Sequence, residues 1–146
     1  PLQSILNAYY LVMAVYGFWL WRKPSQSSQA IHVHNKSIVF HLGFLATGAT
    51  LTIAIGFYLQ QGDYSRAPFL DAGVMIFSVM NTYLMARKVL ENWLYWLVIN
   101  SAAIVLYWQN GFYFTILMFI LYFGLAIVGY RAWRQELSMP MPHTAK

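Results

Sequence analysis

Trp93, Trp96 and Asn100 lie three and four residues apart in the run Glu91-Asn92-Trp93-Leu94-Tyr95-Trp96-Leu97-Val98-Ile99-Asn100. On a helix they share one face, which Tyr107 extends by two turns. A carboxamide inside an apolar run needs a hydrogen-bonding partner, so Asn100 either bonds a neighbouring helix or faces a small molecule that comes and goes. Indole walls suit the second use: they stack on a heteroaromatic ring and, if the ring is cationic, add cation–π attraction of roughly 0.5–2 kcal/mol. For Trp93 and Trp108, near the ends of the run, an interfacial aromatic belt explains the residues equally well. Trp96 and Asn100 sit deeper, where polar groups tend to face a cavity.

A second stripe runs through Asp71, Ser78, Thr82 and Met85, with Asn81 at its edge. Hydroxyls such as those of Ser78 and Thr82 can bond their own helix, whereas Asn81 is either the partner of Asn100 or the opposite wall of one pocket. The candidate substrate-binding set is therefore Trp93, Trp96, Asn100, Asn81, Thr82, Ser78 and Tyr107. His32 and His34 form an H-x-H and His41 follows, but no Cys, carboxylate or fourth ligand stands beside them, so no metal site is expected. No mid-segment His pair offers haem ligands. Asp71 and Glu91 are the only acids near the apolar runs and both lie at their ends, so neither catalysis nor a cofactor is expected.

The elements that must position these residues follow from composition. The 146 residues are 60% hydrophobic and 9% charged, with 6 Trp, 11 Tyr and 10 Phe, far from the charged share of about a quarter in soluble domains. That is a membrane protein. The net charge of +5 sits at the ends of apolar runs rather than in a patch or arm, which argues against nucleic acid. Apolar runs near Leu2–Trp21, Ile38–Leu59, Phe69–Met85, Trp93–Trp108 and Phe112–Trp133 predict five transmembrane helices, because backbone groups in lipid must be satisfied within each segment. Gly48, Thr52 and Gly56, spaced by four, form a small-residue packing seam. Pro68 suits a first helical turn and Asp71 a helix N-terminus. Gln109-Asn110-Gly111 reads as a tight turn that makes the last two helices antiparallel neighbours. The polar, Ser/Gln-rich stretch from Arg22 to Ser37 reads as a flexible linker. The chain opens at Pro1, inside an apolar run and without Met, so a preceding part is expected.

If the first segment runs inward, one side holds Arg22, Lys23, Lys36, Arg87, Lys88, Arg131, Arg134 and Lys146 and the other only Arg66. Cytoplasmic loops collect Lys and Arg, which predicts a cytoplasmic C-terminus with a disordered tail over 135–146. The stretch Ala14–Arg22 resembles Ala126–Arg134, and both end segments run inward. This predicts a parallel repeat: residues 1–22 ending a first three-helix bundle, 23–37 a cytoplasmic loop, 38–60 a linking helix, and 68–134 a second three-helix bundle.

At Asp71-Ala72, Ser78, Leu84–Lys88, Glu91–Trp96, Leu106-Tyr107 and Gly129–Trp133 the chain resembles the PnuC family of bacterial vitamin transporters. The resemblance implies a seven-helix core of 3+1+3 design, related to the SWEET sugar transporters, with the first two core helices lying outside this sequence. It implies facilitated diffusion of nicotinamide riboside, or of thiamine or riboflavin, across the bacterial inner membrane, with trapping by a separate cytoplasmic kinase. It also implies a substrate region at Trp93, Trp96 and Asn100, while Thr82 stands where many members carry Gln. A sugar-type transporter and a non-transporting membrane scaffold are the competing readings, and assembly as a homo-oligomer is open.

Overall fold

A computed structural model of the protein describes residues 2–22 and 31–139. Its helices are α1 (Leu2–Trp21), α2 (Ile38–Gln61), α3 (Pro68–Ala86), α4 (Asn92–Gln109) and α5 (Tyr113–Ser138). By length and composition, α2, α3 and α5 can cross a membrane. Five spans were expected; among the described residues α1 and α4 are not among the three, and in α4 Asn92, Asn100, Gln109 and its Tyr and Trp residues dilute an otherwise apolar segment. It nevertheless returns alongside α5 through a turn in which Gly111 takes φ +75°, a conformation glycine adopts without strain. The lipid-directed character is plain from large exposed apolar side chains on α1, α2 and α5, among them Leu11, Leu42, Phe57, Phe114 and Leu121.

The third helix is the hub. It packs against α1, α2 and α4, while α5 packs on α4. The α2–α3 seam uses the small residues of α2: the Phe77 ring covers Gly48 and the Phe69 ring covers Gly56, so closely that a Cβ at either glycine would lie 2.5 Å or less from the ring. In lipid such close packing replaces the hydrophobic drive that holds soluble helices together. Local signals match the termini. Ser37 Oγ accepts from Phe40 N at 3.3 Å to cap α2, and Pro68 and Asp71 occupy the first turn of α3.

Two expectations about the connections change. Within the presumed flexible linker, residues 23–30 lie outside the described residues, but His34 is pinned: its N–H donates to Lys88 O at 3.2 Å and its carbonyl accepts from Leu90 N at 3.0 Å. Val33 is buried beside this bridge. The tail expected from residue 135 also starts later, because α5 continues to Ser138. Its last turn is held by Glu136, 3.9 Å from Lys88 Nζ. Residues 140–146, the remainder of the expected disordered tail, lie outside the described residues.

The α3–α4 connection, residues 87–91, is fixed by two amides that are wholly buried. Asn81 Nδ2 donates to Asn92 O at 2.9 Å, and Asn92 Nδ2 donates to Val89 O at 2.6 Å. Between them Lys88 adopts φ +54°, an unfavourable region for a residue with a side chain, so the surrounding bonds must hold it there. Replacing Asn81 by Ala should lower stability by roughly 1–3 kcal/mol, the usual cost of stranding a buried polar group. Thr82→Val, which removes only a bond to its own helix, should shift the thermal unfolding midpoint in detergent much less. Equal midpoints for the two variants would refute the locking role.

Candidate functional site

Ser78 and Met85 on α3, Trp93, Trp96 and Asn100 on α4, and Phe119, Tyr122 and Gly129 on α5 line one cavity of about 720 Å³, with Tyr10 of α1 at its rim. That volume falls within the roughly 300–1,000 Å³ typical of small-molecule sites. Helical spacing explains the α4 contribution, since Trp93, Trp96 and Asn100 follow one another up a single face. Trp93 is set by α5: its ring lies on the backbone at Gly129, where a Cβ would come within 2.5 Å of the indole. The same indole meets Trp133 edge-on, with centroids 5.2 Å apart.

Polar groups are few and placed. Asn100 is buried and lines the cavity, so its amide faces the space a ligand would occupy. Ser78 lines the cavity from α3 and Tyr10 from α1. The Trp93 indole N–H is also buried without a partner among the described residues. The cavity opens between α1 and α5, whose backbones do not pack together; at one end Trp21 of α1 and Trp133 of α5 bridge the gap edge-to-face at 5.9 Å.

Ser78, Trp93, Trp96 and Asn100 thus meet at one cavity, and three other candidates lie elsewhere. Asn81 turns away to hold the connection to α4. It is neither the partner of Asn100 nor its opposite wall. Thr82 spends its hydroxyl on Ser78 O at 2.7 Å and lines a smaller neighbouring cavity. Tyr107 lies towards the other end, in a pocket with Asp63, Arg66 and Asp71, and its ring stacks on Phe119 at 5.3 Å. Tyr10, Phe119 and Tyr122 were missed by sequence reasoning. The last two stand three apart on α5, but aromatic residues crowd that helix and its inward face could not be chosen from spacing.

The histidines are engaged with the backbone and with α4. His34 Nδ1 lies 3.1 Å from His32 O, and His41 Nδ1 lies 2.8 Å from the Tyr95 hydroxyl. Among the described residues no group of three or more His, Cys, Asp or Glu side chains could hold a metal ion.

Long apolar helices around an aromatic cavity define a helical membrane protein with room for a small molecule. Comparison with known proteins refines the class. The family model for nicotinamide mononucleotide transporters matches residues 2–135. The nicotinamide riboside transporter PnuC of Escherichia coli is 24% identical, over 95% of this chain and 70% of its own length. The riboflavin/roseoflavin transporter RibM of Streptomyces davaonensis is 23% identical over 87% of this chain. The chain spans 61% of RibM. A crystal structure of the vitamin B3 transporter PnuC superposes with a TM-score of 0.68 at 22% identity, over 91% of this chain and 61% of that one. This chain belongs to the nicotinamide mononucleotide transporter, or PnuC, family.

Gly129 supplies a direct test of how Trp93 is positioned. Gly129→Ala should displace the indole and diminish the circular-dichroism signature of the close Trp93–Trp133 pair. Gly124→Ala, on the same helix but with open space around its Cβ, should leave that signature unchanged.

Proposed function

We propose that this protein carries nicotinamide riboside, or a similar vitamin precursor with an aromatic ring, down its gradient across the bacterial inner membrane. The observation that carries the reading is the convergence of Trp93, Trp96, Ser78 and Asn100 on one cavity. The indoles would stack on the ring, with cation–π attraction of roughly 0.5–2 kcal/mol for a pyridinium. Asn100 and Ser78 would take the polar substituents. The names of the similar proteins support the substrate class: two are nicotinamide riboside or vitamin B3 transporters and one is a riboflavin transporter.

No carboxylate lines this cavity among the described residues. Carriers coupled to protons or sodium commonly place one at membrane depth, so diffusion without a coupling ion is the simpler mechanism. A cytoplasmic kinase acting on the delivered nucleoside would keep the gradient inward. The charge distribution supports a cytoplasmic end of α5, and the repeated motif at the ends of α1 and α5 supports the 3+1+3 plan, in which one bundle would rock against the other.

Uptake of radiolabelled nicotinamide riboside by cells or proteoliposomes tests the reading. The Trp96→Ala/Asn100→Ala double variant should lose at least about tenfold in uptake, since each tenfold corresponds to about 1.4 kcal/mol and both ring and amide contacts are removed. Wild-type uptake by that variant, at equal protein level, would sink the proposal.

A further inference from the structure

Beside the main cavity lies a second one of about 440 Å³, between α1 and α3. Tyr10, Met85 and Trp96 line both, so the two spaces are lobes separated by these three side chains. Their chemistry differs. The larger lobe holds Asn100 and Ser78, whereas the smaller is walled by Met13, Ala14, Gly17, Phe18 and Trp21. The polar atoms nearest the smaller lobe are already committed: Thr82 donates to Ser78 O, and Trp21 Nε1 donates to Ala86 O at 3.1 Å. It is a dry extension that suits hydrocarbon and offers little to a hydroxyl.

Of the three dividing side chains, only one can withdraw at low cost. Tyr10 is a rigid ring with few side-chain rotations. Trp96 is a rigid indole within the α4 face. Met85 is unbranched, with three rotatable bonds and no hydrogen bond to break, which is how methionine adapts to irregular space. The small residues Gly17 and Ala86 line the smaller lobe with it.

We propose that Met85 is the partition that sets the ring size this carrier accepts: in place it confines a single ring to the larger lobe, and withdrawn it admits the benzenoid edge of a tricyclic ring into the smaller one. This rests on reading the larger lobe as the substrate site. The polar edge and sugar-like chain of a flavin would stay with Asn100 and Ser78, and its apolar edge would enter the dry lobe. Met85 is thereby a specificity-determining residue, distinct from the groups that hold the polar part of the ligand.

The test is calorimetric titration of the purified protein in lipid nanodiscs with nicotinamide riboside and with riboflavin. Met85→Ala should improve the affinity for riboflavin relative to nicotinamide riboside by roughly tenfold, the lower end of what space for a few carbon atoms is worth in a pocket. Adding Thr82→Met, which refills the smaller lobe, should cancel that gain; Met85→Leu should keep the wild-type ratio. The cancelling variant separates a change of room from general loosening, and an unchanged far-ultraviolet circular-dichroism spectrum and thermal midpoint report that each variant is folded. Binding of both ligands by Met85→Ala at the wild-type ratio overturns the partition alone. Binding of neither ligand by any form, wild type included, overturns the reading of the site and this inference with it.

Discussion

The arrangement at one end of the bundle depends on a buried amide, Asn81, which reaches from α3 across to the backbone of Asn92. In an apolar medium a carboxamide that finds a partner is a strong constraint, because the alternative is an unpaired dipole. Asn92 repeats the device one step on by bonding Val89 O. The connection thus fixed presents contacts to every other part of this end. Ala86 O receives the Trp21 indole, Lys88 lies near both the Trp21 ring and Glu136, the backbone at Lys88 and Leu90 pairs with His34, and Glu91 faces His41. Loss of one amide would therefore loosen α1, α5, the start of α2 and the preceding strap together.

That connection also starts α4 in a defined register, which is what brings Trp93, Trp96 and Asn100 to the cavity. The indoles are then ordered from the other side. Trp133 stands edge-on between Trp21 and Trp93, the geometry favoured by the ring quadrupole. Gly129 lets Trp93 close on α5, where a Cβ would come within 2.5 Å of the indole, whereas a Cβ at Gly17 would meet Ala86 on α3 at an ordinary 3.7 Å. These glycines and tryptophans occupy equivalent places in the repeated stretches Ala14–Arg22 and Ala126–Arg134. What the two similar stretches share in the structure is an indole, Trp21 and Trp133, that meets its counterpart edge-on at 5.9 Å.

Much of this was legible in the residues. Five runs gave five helices, Pro68 and Gly111 marked a start and a turn where the structure has them, and the face bearing Trp93, Trp96 and Asn100 follows from spacing alone. Asn81 was not legible in the same way. Spacing places a side chain on a face but does not say what lies across from it, and the partner of Asn81 is a backbone carbonyl eleven residues along, reached through a connection with a positive φ at Lys88. The pinned loop was hidden for a related reason. His34 is held through its backbone, which any residue type supplies, and only buried Val33 hinted that this stretch had an inward face. Tyr10 and Tyr122 needed the packing of α1 and α5 to be known before their direction meant anything.

The two walls of the cavity are held unequally. The wall carrying Trp96 and Asn100 belongs to α3–α5, joined by short connections, the amide pair and continuous packing. The opposite wall is α1, which among the described helices packs on α3 alone. Its attachments include the Tyr9 hydroxyl donating to Val79 O at 2.7 Å and the Trp21 indole donating to Ala86 O. Interhelical hydrogen bonds in membranes average only about 0.6 kcal/mol each, so α1 can shift against α3 at a far smaller cost than α4 can leave it. Motion that opens or closes this cavity should therefore fall on α1, and the aromatic wall with its amide should travel as part of the unit that stays together.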